Sequence, residues 1–286
     1  MTVIADNKFK SRIGFMQGRM SAMVNGKIQA FPYENWKNEF SLAKSNNYSL
    51  MEWTLDYEDP FINPLMTQVG RGKIKVLMEI NNLKIPSLTG DCFMQAPFWK
   101  STGEITSKLI SDLYRIIENC GLLSIKNIVI PLVDGGRINA KYEEDFLVST
   151  LLASEPSLVD HGVKIIFESD FDPARFFKLM DRLDSPNFGI NYDIGNSAAL
   201  GFHPAEEIGM HGDRIFNVHV KDRLLGGTTV PLGCGDASFE KVFKALGQIG
   251  YQGNFILQTA RALDERHLEV LNGYREFILS KAKDCF

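Results

Sequence analysis

The chain has 286 residues, 44% of them hydrophobic, which is enough to bury one large core and too evenly mixed for disorder. Thirty-one Lys and Arg stand against 35 Asp and Glu, so the net charge of -4 offers no basic field to a polyanionic backbone and argues against nucleic acid as a partner. The N-terminus has no apolar signal core, and no run reaches the roughly 20 apolar residues of a bilayer span, so the expectation is a cytoplasmic protein with no membrane partner.

In chain order, short β-rich apolar runs occur at Ile13–Gln17, Ser49–Trp53, Ile85–Leu88, Ile128–Leu132, Lys164–Phe167, Gly189–Tyr192, Phe216–Val220 and Phe255–Leu257. Longer amphipathic stretches separate them. Leu113, Ile116, Ile117 and Cys120 recur at helical spacing within 110–121. Asp172-Pro173 and Ser238 stand where helix caps belong, ahead of 174–180 and 239–243. Eight such βα units with no linker predict an α/β fold, a (β/α)8 TIM barrel forming a single domain over 1–286. The rival, an open doubly wound sheet, wants a G-x-G-x-x-G turn after its first strand, and Gln17-Gly18-Arg19-Met20 is not one. Cys92, Cys120, Cys234 and Cys285 lie far apart with no C-x-x-C pair, and read as reduced thiols, mostly buried.

A barrel keeps its chemistry at the C-terminal ends of its strands. The polar residues there are Gln17, Arg19, Glu52, Asp91, Asp134, Glu168, Asp193, His219, Gln258 and Arg261. Glu168, Asp193, His219 and Gln258 hold comparable places on the last four strands. Two carboxylates, an imidazole and an amide oxygen make a ligand set for one divalent ion of the Mn, Mg, Co or Zn kind. Taken singly, each is equally a strand-end polar residue satisfied locally.

The strings Tyr-Asp-Ile-Gly-Asn (192–196), His-Val-Lys-Asp-Arg (219–223), Pro-Leu-Gly-Cys-Gly-Asp-Ala-Ser-Phe (231–239) and Gly-Asn-Phe-Ile-Leu-Gln-Thr-Ala-Arg (253–261) resemble the xylose isomerase-like TIM-barrel superfamily of sugar phosphate isomerases and epimerases. The opening Ile-Gly-Phe-Met-Gln-Gly-Arg-Met (13–20) is similar to one branch of it. The likeness spans nearly the whole chain and is strongest after Lys164. It implies a single divalent ion held by Glu168, Asp193, His219 and Gln258, with Glu168 and position 258 as the catalytic pair. The relatives carry Glu where this chain has Gln258, and an amide has no proton to give or take at neutral pH. Epimerisation wants two groups flanking one carbon, whereas isomerisation through an enediolate can return the proton on one face, so Gln258 tilts the reading towards isomerase unless Glu52, Asp91 or Asp222 serves as the second acid/base. A site with two carboxylates balances the divalent ion and makes it the stronger Lewis acid.

Arg19, Lys221, Arg223 and Arg261 follow strands and form a candidate basic mouth for an anionic sugar, unless they are simply solvated. Glu52, pointing inward between Met51 and Trp53, and Asn196 complete the candidate substrate-binding set. The substrate is expected to be a small sugar, anionic or neutral. Gly226-Gly227 and Gly233-Cys234-Gly235 read as turns, or as a lid. Phe15, Trp53, Phe93, Phe98 and Trp99 either wall off a sugar face or pack the core. His161, His203, His211 and His267 fit surface or capping roles. A metal-dependent isomerase or epimerase explains the most. A metal-dependent dehydratase and a non-catalytic sugar-binding barrel are the alternatives, while a nuclease of the endonuclease IV type wants more histidines and a positive face. Such barrels are commonly homo-oligomers.

Overall fold

The structure, a computed structural model, describes residues 8–57 and 62–286. Eight parallel strands close into a barrel: β1 (Ile13–Met16), β2 (Met51–Thr54), β3 (Ser87–Thr89), β4 (Asn127–Leu132), β5 (Lys164–Ser169), β6 (Phe188–Asp193), β7 (Ile215–Val220) and β10 (Asn254–Leu257). Their order around the barrel is β1-β10-β7-β6-β5-β4-β3-β2. Each overlaps one of the apolar runs, because a parallel strand covered on both faces reads as a near-continuous apolar run, broken on β2, β6 and β7 by the inward polar residues of the site. A two-stranded antiparallel hairpin, β8 (Asp222–Arg223) with β9 (Thr229–Val230), follows β7 and has no counterpart among the eight expected runs. Two-residue strands are too short to show a period. No helix among the described residues is long and apolar enough to cross a membrane.

Close Cα neighbours divide the chain into two compact units. One takes in the chain up to Glu52, then Asn81–Lys84 and Ile190–Phe286. In it β1 pairs with β2 through Phe15↔Met51 and with β10 through Ile13↔Phe255, while β10 pairs with β7 through Ile256↔His219. Below the strand starts lies an aromatic cluster, with the Phe255 ring 5.2 Å from Phe9, 5.7 Å from Phe243 and 5.4 Å from Phe286. The Arg12 guanidinium lies 5.0 Å from the Phe286 ring and donates to the Gly253 and Tyr251 carbonyls, a cation–π plug on a hydrophobic floor.

The other unit holds Trp53–Ile80 and Ile85–Gly189. Its β4 and β5 pair from Asn127↔Lys164 to Leu132↔Ser169. Helix Gly103–Leu122 buries Leu113, Ile116, Ile117 and Cys120, the apolar stripe its sequence shows, and begins seven residues before the expected stretch 110–121. Helix Pro173–Asp181 is capped as its sequence predicts, Asp172 Oδ1 accepting from Arg175 N at 3.0 Å. Ser238 of the first unit departs from expectation. It holds the cap position of helix Phe239–Gln248, but its hydroxyl makes no capping bond.

All four cysteines are free, with Cys92 and Cys120 buried and Cys234 exposed. Phe15, Trp53, Phe93, Phe98 and Trp99 are all buried, which fits packing. His211 and His267 are buried rather than on the surface, and burial beside Arg214 lowers the His211 pKa to about 4.

Candidate active site

The period of two along a strand builds the site. On β7, Asn217 and His219 share the inward face, and on β6 Asn191 and Asp193 do the same; all four are buried. They make two polar layers. In the lower, Asn217 Nδ2 donates to Asn191 Oδ1 at 2.9 Å and to Glu52 Oε2 at 3.0 Å. In the upper, His219 Nε2 meets Glu52 Oε1 at 2.7 Å, and its Nδ1 faces Asp193 Oδ2 at 3.9 Å. Glu52 and His219 are fully enclosed. A carboxylate on Nε2 favours the tautomer with the proton there, which leaves the Nδ1 lone pair directed at the Asp193 side. Lys221 Nζ lies 2.7 Å from Asp193 Oδ2. Asp193 also begins the next helix, its Oδ1 accepting from Asn196 N at 2.8 Å.

One donor atom each from Glu168, Asp193 and His219 lies within 4.8 Å of the others, and all three residues are buried. Two carboxylates and an imidazole nitrogen at that spacing fit a divalent cation. Gln258, on the residue after β10, donates from Nε2 to Gln29 Oε1 at 3.0 Å, while its own Oε1 is buried and accepts no hydrogen bond. A buried carbonyl oxygen with nothing to accept suits an electron-pair acceptor brought in by a ligand.

The four cations expected at a basic mouth each hold protein oxygens. Arg19 spends Nε on Thr259 O and Nη1 on Ile28 O, both at 3.0 Å, and Nη2 on Gln29 Oε1 at 3.3 Å. Arg261 donates to the Gly18 and Ser21 carbonyls. Arg223 donates to Gly227 O and, at 2.7 Å, to Asn196 Oδ1. Thus Arg19, Arg223 and Arg261, read in the sequence as substrate ligands, spend N–H groups on protein oxygens, and Asn196 accepts one of them; Arg19 is buried and the other two arginines are half-buried. Glu52 is likewise committed, to His219 and Asn217 rather than to a substrate hydroxyl. Of that set Lys221 reaches the carboxylate–imidazole group.

Asp222 is no spare base. Its carboxylate accepts from Gly233 N at 2.8 Å, Gly235 N at 3.0 Å and Ala237 N at 3.1 Å, fastening the glycine-rich segment read as a candidate lid. Gly226, with φ +62°, lies between the hairpin strands, a turn rather than a flap.

Sequence reasoning passed over Glu39, Gln29 and the two asparagines. Glu39 is fully buried and accepts from Gly18 N at 2.9 Å, Met20 N at 3.1 Å and Ser21 Oγ at 2.9 Å, and burial pushes its carboxyl pKa up against those bonds. The asparagines had a signal, since Asn191-Tyr-Asp193 and Asn217-Val-His219 repeat one i, i+2 pattern on adjacent strands. Nothing local marks Glu39 or Gln29: the partners of Glu39 lie 18 to 21 residues away along the chain, and those of Gln29 lie 10 and 229 residues away.

Over residues 40–276 the chain matches the xylose isomerase-like TIM barrel family, and it belongs to that family. It is 21% identical over 240 residues to the L-ribulose-5-phosphate 3-epimerase UlaE of Escherichia coli O1:K1 / APEC, a match covering 79% of this chain and 82% of that one. The crystal structure of D-allulose 3-epimerase from Methylomonas sp. superimposes with a TM-score of 0.74 at 16% identity, covering 94% and 97% of the two chains. Inosose dehydratase of Geobacillus thermodenitrificans is 22% identical over 216 residues, 65% of this chain and 72% of that enzyme. The sequence relatives and structural neighbours are thus largely sugar epimerases.

Proposed function

We propose that this chain is a divalent-metal-dependent isomerase or epimerase of a small sugar, with Glu168 as the acid/base. The observation that carries the reading is the convergence of Glu168, Asp193 and His219 donor atoms within 4.8 Å. These three would hold the ion, with Gln258 Oε1 as a neutral fourth donor. The ion would supply Lewis-acid polarisation of a substrate carbonyl and its neighbouring hydroxyl.

The chain's own residues do the rest. Glu168 takes the proton from the hydroxyl-bearing carbon beside the carbonyl, leaving an enediolate, and in isomerisation returns it on the same face to the former carbonyl carbon while the hydroxyl proton passes to the former carbonyl oxygen; epimerisation would need a second acid on the opposite face. Glu52 holds the His219 ring in one tautomer, and Lys221 balances the charge of Asp193. The arginines expected to grip an anionic group each hold protein oxygens, which favours an uncharged sugar over a phosphorylated one. A panel of ketoses and their phosphates separates these.

Glu168→Gln is expected to abolish turnover while the fold persists by circular dichroism and thermal melting. Asp193→Ala and His219→Ala are expected to lower Mn2+ occupancy in metal analysis. Undiminished turnover in Glu168→Gln overturns the mechanism. A second reading, dehydration of a polyol or keto acid, starts from the same proton removal beside a carbonyl, needs no acid/base at position 258, and is supported by the 22% identity to inosose dehydratase. A product lighter by one water identifies it.

A further inference from the structure

We propose that Arg19 and Gln29 are positioning residues that fix which way the Gln258 amide points, so that position 258 presents a neutral oxygen as a metal ligand. The ligand's identity rests on the metal-centre reading above; the geometry rests on hydrogen bonds alone.

A glutamine amide has a donor end and an acceptor end of nearly the same shape, and its neighbours decide which end faces where. Here the decision propagates from a group that can only donate. Arg19 is pinned through Nε to Thr259 O and through Nη1 to Ile28 O, both at 3.0 Å. Its Nη2 then meets the Gln29 amide at 3.3 Å, and only an oxygen satisfies it. Gln29 therefore turns Oε1 towards Arg19, and the same oxygen lies 3.0 Å from the Gln258 amide nitrogen. Facing an acceptor, Gln258 must offer Nε2. Its backbone is fixed as well, Gln258 N donating to Val220 O at 3.0 Å. The Gln258 Oε1 is thereby turned away from the Arg19–Gln29 pair, buried, and without a hydrogen-bond donor.

Glutamine is built into this position rather than tolerated there. A carboxylate at 258 would set an oxygen against Gln29 Oε1, acceptor against acceptor, in the one orientation Arg19 allows. The amide gives a ligand that cannot carry a proton, so proton transfer in this chain has one carboxylate, Glu168, where a glutamate at 258 would supply a second.

The test uses the metal-free full chain with Gln29→Glu, Gln29→Leu and Gln29→Lys. Two readouts are taken: hydrogen exchange of the Gln258 side-chain amide by NMR, and Mn2+ affinity by calorimetry. Gln29→Glu keeps an oxygen facing both donors, and is expected to retain slow amide exchange and at least wild-type affinity. Gln29→Leu removes the acceptor and Gln29→Lys inverts it; both are expected to speed exchange and to weaken Mn2+ binding about 10-fold, as loss of an outer partner of a metal ligand does. Equal exchange rates in the Glu and Lys variants overturn the proposal, as does wild-type exchange as fast as that of the exposed Gln252. A wild-type chain that binds no Mn2+ overturns the metal reading and with it the ligand role of Gln258, while the exchange rates still decide the Arg19–Gln29 arrangement.

Discussion

Two regions of the molecule bury carboxylates, and they use them differently. Between β1 and β2, Glu39 on helix Asn38–Ser45, and after β7, Asp222 on β8, accept from backbone N–H groups, at residues 18 and 20 for the first and 233, 235 and 237 for the second. In the polar layers of β6 and β7, Glu52 and Asp193 face His219, Asn217 and Lys221. A backbone amide cannot leave its carboxylate unless the loop leaves with it, so the first pair act as struts. A side chain can turn, exchange a proton or give way to a cation, so the second pair can take part in chemistry. Burial alone does not distinguish a structural acid from a reactive one; the identity of its partners does.

Asp222→Ala breaks the comparison most directly. It removes the acceptor of three part-buried N–H groups at once, and should cost on the order of 3 kcal/mol in urea unfolding. Glu39→Ala should fall in the same range. Asp193→Asn, by contrast, should unfold within about 1 kcal/mol of wild type, since the amide keeps an oxygen for Asn196 N, while losing most of its Mn2+ affinity. Similar stability losses at Asp222 and Asp193 would erase the distinction.

Glu207 is a third kind of buried carboxyl, whose hydrogen-bond partners are the hydroxyls of Ser197 and, at 3.1 Å, Tyr192. With neither a cation nor an amide to stabilise the charge, burial raises its pKa to about 7. Between about pH 4.5 and 7 the folded chain keeps a proton that the unfolded chain has released, so the stability this group contributes is lost as pH rises through that window. His211 works the other way. Between about pH 4 and 6.5 the unfolded chain binds a proton the folded chain refuses, so stability rises with pH there. From pH 6.5 to 8 Glu207 alone of the two still titrates. The melting temperature should fall over that interval, and Glu207→Gln should remove the fall and uncover the rise below pH 6.5 that the two opposite slopes otherwise cancel.

How far this was legible in the sequence follows the range of the interactions. The strands could be read because a parallel barrel strand is a near-continuous apolar run, and Glu168, Asp193 and His219 because each sits at such a run's end. The inward face of Glu52 was legible from Met51 and Trp53 on either side. Its role was not, since the imidazole it holds is 167 residues away. The arginines show both ranges: Arg19 and Arg261 donate to carbonyls 240 and 243 residues distant, whereas Ile28 O for Arg19 and Gly227 O for Arg223 are only 9 and 4 residues away, in loops with no pattern to mark them. Asp222 reads locally as one more acid in a charged string, and only the chain's return through 233–237 shows it to be a strut.

The helix caps carry the same contrast to the surface, where water competes and the effects shrink. Asp172 accepts from Arg175 N at 3.0 Å at an exposed site, the same carboxylate-to-amide bond that Asp222 makes with the loop that returns to it. Asp172→Ala should cost about 1 kcal/mol, because water can replace the lost acceptor. Ser238 occupies the corresponding position of its own helix with a backbone at φ -88° and ψ 78° and no side-chain bond to the helix amides. With nothing to lose, Ser238→Ala should change unfolding free energy by no more than about 0.5 kcal/mol. If Ser238→Ala instead costs as much as Asp172→Ala, the hydroxyl does cap the helix in solution, and residue type would predict a cap better than the bond seen in the structure.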